Sequence, residues 1–266
     1  MTVEKDESGA RRVRLAFVVP GSLEQVWHAV ATGPGMSAWF TAADVDEFVG
    51  GTVTFDFGPM GSSSGPVTGW EPPHRFAYEE VGWSGDAPPV ATEVTVTSRS
   101  GDECVVHIVH SLFTDRDDWD DELESFENGW PAFFAVLRIY LRHFAGSPAA
   151  SAGLMLPLTG DAGAAWAELI EALNLVGIGV GEHRATPAGA PPLSGELELA
   201  HQDRENRYLL LRLDDPGVAV VGVHGGAGGG MASVTVFCYG PDAEKRAAEQ
   251  QREWDAWLPD RVRTLS

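Results

Sequence analysis

The chain has 266 residues and a formal net charge of -21, from 39 acidic and 18 basic side chains. Its length suits two domains, and a hydrophobic content of 44% is enough to build a core in each. Both halves are acidic, with 23 acidic and 9 basic residues up to residue 150 and 16 and 9 beyond it. Such a surface repels nucleic-acid phosphates and anionic lipids, so we expect no nucleic-acid partner and no membrane partner.

The sequence contains few targeting or redox features. Its first twelve residues are polar, and no apolar run reaches the ~18 residues that a membrane span needs. Cys104 and Cys238 each lie in a strand-like run, which is typical of small buried hydrophobic residues and not of a disulfide or a metal site. These features predict an acidic cytoplasmic protein with reduced thiols.

The first half begins with a strand and two short helices. Residues 11–20 (RRVRLAFVVP) predict a strand that ends at Pro20, and Ser22 is a suitable N-cap for a helix over residues 23–32. A Gly-Pro-Gly break follows, and after it residues 36–41 (MSAWFT) predict a second short helix.

Five or six strands follow, separated by Gly, Pro, Ser and Asp turns, as in an antiparallel sheet. They are predicted in TVTFDFGP, GPVTGWEP, RFAYEEVGW, ATEVTVTS and CVVHIVHSLF. The acidic stretch DRDDWDDELESFENGW then leads into a long helix through FFAVLRIYLRHF. The small residues of GSPAASAG predict a linker between two domains.

The second half predicts the same order of elements. GLMLPL is a short strand and DAGAAWAELIEALNL a helix, followed by strands in GELELAH, RYLLLRL, VAVVGVHG and ASVTVFCY. The closing helix lies in DAEKRAAEQQREWDAWL, and we expect Pro259 to stop or kink it. No segment corresponds to MSAWFT.

Landmark residues recur in one order in both halves. The matching pairs are Trp27 with Trp166, Gly65 and Tyr78 with Gly195 and Tyr208, and Trp130 with Trp254. We interpret residues 1–146 as a complete α+β domain and residues 151–266 as a truncated, degenerate second copy. A repeat longer than a hundred residues is too long for a solenoid unit.

Several motifs of the first half resemble a known family. VRLAFVVPGSLEQVWHAVATGPGMSAWFT, GPVTGWEPPHRFAYEEVGW, TEVTVTSRSGDECVVHIVHSLF and GWPAFFAVLRIYL are similar to segments of the activator-of-heat-shock-protein-ATPase homologue (AHSA-type) group, in the START-like SRPBCC superfamily. The resemblance extends from residue 11 to about residue 145. It implies a helix-grip fold, in which a curved antiparallel sheet packs on a long C-terminal helix and encloses a cavity. We therefore predict tandem helix-grip α+β domains.

Aromatic residues dominate the side chains that we expect around this cavity. A stripe on the terminal helix faces the sheet, and rigid rings on a curved sheet leave a pocket for a small apolar or aromatic molecule. The predicted ligand-binding residues are Trp39, Phe40, Phe57, Trp70, Tyr78, Trp83, His107, His110, Trp130, Phe133, Phe134 and Leu137. The alternative is that each of them only fills the core.

Two histidines are the candidates for acid–base chemistry. His107 and His110 lie on opposite faces of one strand, so one of them can point into the cavity, and the sequence leaves open which. Arg75 and Tyr78 share a strand and are candidate anchors for a carboxylate or carbonyl. The alternatives are a hydrogen-bonded or surface histidine, an arginine in water and a core tyrosine.

Other motifs have structural explanations. GSSSG (residues 61–65) lies between antiparallel strands, where a nucleophile elbow does not form, and is predicted to be a flexible loop. GGAGGG (residues 225–230) lacks the residues of a phosphate loop and is predicted to be a long hairpin tip. The acidic residues 115–127 complement a helix N-terminus and lack the spacing of a calcium loop. We expect no metal, no cofactor and no catalytic residue.

The preferred hypothesis is a non-catalytic binding module for a small hydrophobic molecule. One alternative is a cyclase- or hydratase-like enzyme that uses a cavity His or Tyr. The other is an interaction module that modulates a chaperone ATPase, which implies a protein partner. The family fold does not choose among these uses.

Overall fold

The computed structural model describes residues 4–5, 11–58, 61–81, 88–112, 120–226 and 228–264, with side chains described outside residues 4–5, 120–129 and 262–264. The chain divides after Gly146 into two compact units, which we call unit 1 and unit 2. Among the described residues, no helix has the length and apolar character to cross a membrane. Cys104 and Cys238 are free and buried, as predicted.

The described residues of unit 1 form one antiparallel sheet and three helices. Its elements are β1 (Glu4–Lys5), β2 (Arg11–Pro20), α1 (Leu23–Ala31), α2 (Gly33–Ser37), β3 (Ala42–Val45), β4 (Thr52–Asp56), β5 (Ser62–Glu71), β6 (Arg75–Glu80), β7 (Val90–Arg99), β8 (Glu103–Leu112) and α3 (Asp120–His143). The strand order is β1-β2-β8-β7-β6-β5-β4-β3, which is eight strands with the two-residue β1 counted. The long helix α3 packs on the sheet, where Phe134 stacks on Phe17 of β2 with ring centroids 3.8 Å apart.

Unit 2 has the same kind of architecture with fewer elements. They are β9 (Ala149–Leu158), α4 (Ala162–Ala172), β10 (His183–Ala185), β11 (Ser194–Gln202), β12 (Asn206–Leu213), β13 (Gly217–Gly226), β14 (Gly229–Tyr239) and α5 (Ala243–Thr264). The strand order is β10-β11-β12-β13-β14-β9. The core of this unit includes Trp166 of α4 and Trp254 of α5.

The two units share one topology. In each, the first long strand pairs with the last strand, and the others follow as an antiparallel meander. Both also have a register shift that begins two residues after a glycine. In unit 1 the shift lies between Val67 and Gly69, after Gly65. In unit 2 it lies between Leu197 and Leu199, after Gly195. The chain therefore consists of tandem helix-grip-like α+β domains, and the described part of unit 2 has no counterpart of α2 or β3.

The expected equivalence of Tyr78 in unit 1 and Tyr208 in unit 2 is wrong, because the two side chains lie on different faces of their sheets. In unit 2, Gly195 pairs with Leu213, which is five residues beyond Tyr208. In unit 1, Val67 pairs with Tyr78, so Gly65 lies opposite the residue two beyond Tyr78. An odd difference in register turns a side chain to the other face of the sheet. Tyr78 accordingly faces α3, and Tyr208 lies on the face opposite the core residues that flank it.

Some local predictions are corrected. The second helix begins at Gly33, because Thr32 caps it and a proline is tolerated in its first turn, so the Gly-Pro-Gly segment is not a break. Helix α3 begins at Asp120 and contains Pro131. Helix α5 continues through Pro259 to Thr264, so the proline does not stop the helix.

Strands also replace predicted irregular segments. Residues 62–65 belong to β5 and pair with β4, so most of GSSSG is not a loop. Most of the predicted linker is the start of β9, which pairs with β14. In the glycine run, β13 and β14 remain paired to Gly226 and Gly229, so most of the predicted hairpin tip is strand. The short strands β3 and β10 were not predicted.

Candidate functional site: a cavity between the sheet and helix α3

A small cavity lies in unit 1 between the inner face of the sheet and α3. It has room for about one water molecule. Its walls come from both short helices, the central strands and α3, and its lining residues are Val30, Met36, Trp39, Tyr78, Thr92, Val94, Val106, Ile108, Trp130 and Phe134. None of these side chains is charged at neutral pH.

Four of the predicted binding residues line this cavity: Trp39, Tyr78, Trp130 and Phe134. Trp39 follows α2 and is held in place because its indole N–H donates to the carbonyl oxygen of Ala29 in α1 at 2.8 Å. Its ring centroid lies 5.5 Å from that of Phe134 and 6.2 Å from that of Trp130. The short helices and α3 therefore meet through aromatic rings at the cavity wall.

Three further predicted residues, Phe40, Phe57 and Phe133, form an aromatic group beside the cavity, which we call the rim. The ring of Phe40 stacks on Trp130 at 5.1 Å and makes edge contacts with Phe133 at 4.8 Å and with Phe57 at 5.9 Å. Phe133 is 37% exposed, and Phe40 and Phe57 are half-buried. Phe40 thus lies between a solvent-facing ring and the cavity wall.

The remaining predicted residues lie elsewhere. Trp70 packs against Trp27 and Phe76, with centroids 5.1 and 5.4 Å away, and is not part of the lining. Leu137 is fully buried in the core without lining the cavity. Trp83 is outside the described residues.

Two candidates for ligand chemistry are excluded from the cavity by their position. His107 is exposed, because it lies on the face of β8 opposite His110. Arg75 is not an anchor inside the cavity, because it lies on the outer face of β6. Its guanidinium binds Glu93 at 2.7 Å and Glu71 at 3.0 Å.

His110 is the inward-facing histidine, and it is only 2% exposed. The indole N–H of Trp130 donates to its Nε2 at 2.8 Å, and its Nδ1 lies 2.9 Å from Oγ1 of Thr92. An indole N–H is only a donor, so Nε2 carries no proton and Nδ1 carries the proton of the neutral ring. Burial lowers the pKa of His110 from 6.5 to about 3, which agrees with the neutral form.

Tyr78, Thr92 and His110 stand side by side across three strands. The strand register pairs Tyr78 with Thr92 and Thr92 with His110, so all three project from the same face of the sheet. The Thr92 hydroxyl is thus the neighbour of the Tyr78 phenol on the adjacent strand. Burial raises the pKa of Tyr78 well above 10, and nearby Glu80 adds to the rise, so the phenol stays protonated at neutral pH.

Sequence reasoning missed two polar residues on this face, Glu80 and Ser63. Glu80 lies two residues beyond Tyr78 on β6, and alternation along the strand was a signal that could have found it. Ser63 is 3% exposed, and its hydroxyl donates to the Glu80 carboxylate at 2.5 Å. Burial raises the pKa of Glu80 above 4.5, while the Ser63 hydrogen bond opposes this rise.

A serine, an aspartate and a histidine also meet on unit 2. The carboxylate of Asp214 accepts from Oγ of Ser194 at 2.6 Å and lies 2.9 Å from Nε2 of His183. Oγ of Ser194 also lies 3.5 Å from the same Nε2 of His183, but its hydrogen is donated to the acid, whereas nucleophile activation needs the serine to donate to the histidine. The set is therefore an exposed hydrogen-bond cluster. Among the described residues, no group of three or more His, Cys, Asp or Glu side chains is placed to hold a metal ion.

Comparison with known proteins gives a family match within unit 1 and similar solved structures that cover about half or nearly all of the chain. Residues 20–142 match the model of the family described as activator of Hsp90 ATPase homolog 1-like protein. The solved Aha1 dimer from Colwellia psychrerythraea is 19% identical, with a TM-score of 0.42 over 50% of this chain and 96% of that chain. DynU16, from the dynemicin biosynthetic locus, is 17% identical, with a TM-score of 0.43 over 92% of this chain and 94% of that chain.

The di-domain ARO/CYC BexL, from the BE-7585A biosynthetic pathway, is 11% identical, with a TM-score of 0.46 over 95% of each chain. No curated protein matches the chain. The family assignment rests on residues 20–142, since all three TM-scores are below 0.5. Residues 20–142 of unit 1 therefore match an AHSA1-like family model, in agreement with the resemblance of their sequence motifs.

Proposed function

We propose that unit 1 binds a small hydrophobic molecule in the cavity between its sheet and α3 and does not convert it. The observation that supports this most directly is the lining itself. Aromatic and aliphatic side chains surround the cavity, and a few hydrogen-bonded polar groups lie at one place on its wall. This composition is typical of sites that bind apolar molecules in one orientation.

The state of His110 favours binding over acid–base catalysis. Both ring nitrogens are engaged inside the protein, one by Trp130 and the other by Thr92. A general acid or base needs a free nitrogen within reach of its substrate and a pKa near the working pH. With a pKa of about 3, His110 remains neutral and occupied.

The rim provides the route by which a ligand enters. In the present conformation the cavity has room for about one water molecule, so a larger guest has to displace rings. Phe40 and Phe133 are suited to this, because they contact each other and reach the surface. Rotation of Phe40 away from Trp130 opens the wall, and ring–ring contacts are replaced by ring–ligand contacts.

The proposal is tested by titrating the full chain with an uncharged apolar fluorophore, N-phenyl-1-naphthylamine. Native mass spectrometry of the purified protein runs in parallel to detect a molecule that is already bound. Val94→Phe fills the cavity, and Thr95→Phe adds the same ring on the opposite face of β7 as the matched control.

We expect Val94→Phe to lose the fluorophore and Thr95→Phe to retain it. Circular dichroism of both variants shows whether each is folded. Equal binding by folded Val94→Phe would place the fluorophore outside the cavity and refute the proposal.

A further inference from the structure

We infer that the O–H of Tyr78 is the hydrogen-bond donor that the cavity offers its ligand, so that the site selects an uncharged molecule with a ketone-type acceptor. The site should bind such a ketone more tightly than a hydrocarbon of the same shape or a carboxylate. This inference rests on the proposed function and adds the chemical class of the ligand to it.

The direction of the hydrogen bonds is fixed from one end. The indole N–H of Trp130 can only donate, so Nε2 of His110 has to accept, and the ring proton lies on Nδ1. That proton is donated to Oγ1 of Thr92, 2.9 Å away. The hydroxyl hydrogen of Thr92 is then available for its neighbour across the strand pair, the oxygen of Tyr78.

Trp130, His110, Thr92 and Tyr78 form a row of hydrogen-bonding groups. Each residue in this row donates to the next one, up to Tyr78. With the Thr92 hydrogen directed to the phenol oxygen, the O–H of Tyr78 is the last donor of the row. Because Tyr78 lines the cavity, this hydrogen is placed to meet a guest there. The row also holds the phenol in place, because the strand register fixes the three side chains next to each other.

The charges around the cavity disfavour an anionic ligand. None of the lining residues is basic, and the guanidinium of Arg75 is on the outer face with two glutamates. Arg11 is buried on the inner face of β2 but is not part of the lining. Among the described acidic residues, Glu80 lies on the inner face and interacts electrostatically with Tyr78. A carboxylate in the cavity would lose its hydration without gaining a counter-charge.

The inference is tested by the affinities of the full chain for acetophenone, ethylbenzene and benzoate, measured by NMR titration. The first two have similar size and shape and differ in the carbonyl oxygen. We expect acetophenone to bind roughly threefold to tenfold more tightly than ethylbenzene, the range for one neutral hydrogen bond, and benzoate to bind most weakly. In Tyr78→Phe the preference for acetophenone should disappear while the affinity for ethylbenzene stays the same.

Three outcomes overturn the inference alone: a preference that survives in Tyr78→Phe, no preference in the wild type, or benzoate as the tightest ligand. Absence of binding by all three probes counts against the proposed function as well. The ¹⁵N shifts of His110 in the ligand-free wild type provide a separate test. A proton on Nδ1 is expected, and a proton on Nε2 would reverse the row and remove Tyr78 as its last donor.

Discussion

The indole N–H of Trp130 and Nε2 of His110 join helix α3 to the middle of the sheet, 2.8 Å apart. The two ring planes are nearly parallel, with 17° between them. Both residues are buried, so the bond is shielded from water, and its loss would leave a buried polar atom without a partner. Burial keeps the imidazole neutral by lowering its pKa, which makes the stability of unit 1 sensitive to acid.

We predict that unit 1 loses stability as the pH falls from 6.5 towards 3. The pKa of His110 is about 3 in the folded chain, so the unfolded chain takes up the proton first. The contribution is complete above pH 6.5 and is on the order of 4 kcal/mol. In urea unfolding, His110→Gln should be far less stable than the wild type at pH 7, and the difference should shrink at pH 4.

His107→Gln is the matched control, because His107 is exposed on the other face of β8. It should follow the wild-type pH profile. A gap between His110→Gln and the wild type that is the same at pH 7 and pH 4 would show that protonation of His110 does not limit acid stability.

Glu80 should have the opposite pH dependence. Burial raises its pKa above 4.5, so the folded chain holds the proton more tightly than the unfolded chain does. Its contribution is complete below pH 4.5 and is lost as the pH rises through the folded-state pKa. We expect Glu80→Gln to raise the melting temperature at pH 8 and to have little effect at pH 4, since an amide oxygen can still accept from Ser63.

Glu79→Gln provides the comparison, because Glu79 is the exposed neighbour on the outer face of β6. Its melting temperature should stay near that of the wild type at both pH values. If Glu80→Gln does not gain stability relative to Glu79→Gln between pH 4 and pH 8, the carboxyl of Glu80 is not desolvated.

The order of elements could be predicted from sequence because local signals mark it. Alternating apolar residues ending at Pro20 predicted β2, and the Ser22 cap of α1 is present with its partner Gln25. The strand β3 (Ala42–Val45) carries no such signal. It is a short edge strand of small and acidic residues, and it forms because β4 provides a hydrogen-bonding edge.

The site could be predicted only in part, because it depends on contacts between distant residues. Alternation places His107 and His110 on opposite faces, but the packing of α3 decides which of them is buried. Thr92 carries no recognisable motif, and it becomes the partner of His110 only through the register of β7 with β8. The small size of the cavity depends on how Trp39, Trp130 and Phe134 pack, which no pattern along the chain encodes.

Alanine substitutions at two neighbouring glycines of the β13–β14 hairpin, Gly225 and Gly226, should change the stability of unit 2 by different amounts. Gly225 has φ of 118°, and a Cβ there would lie 2.4 Å from the carbonyl oxygen of Gly229. Gly225→Ala should therefore destabilise unit 2 by about 1–3 kcal/mol, measured by urea unfolding. Gly226→Ala, where a Cβ meets no atom within 4 Å, should stay within about 0.5 kcal/mol of the wild type. Equal effects would contradict the strand pairing at this tip.

Phe134 and its neighbour Phe133 should differ strongly when each is truncated. Phe134 is fully buried, stacks on Phe17 and lines the cavity, so Phe134→Ala removes a ring that the surrounding β-sheet cannot replace. We expect it to lower the free energy of unfolding of unit 1 by about 3–5 kcal/mol and to enlarge the cavity. Phe133→Ala, which removes a 37% exposed rim ring, should lower it by less than about 1.5 kcal/mol. Urea unfolding of both variants measures the difference, and xenon binding detected by NMR reports the added volume. Similar losses in the two variants would mean that Phe134 is not part of the core that closes the cavity.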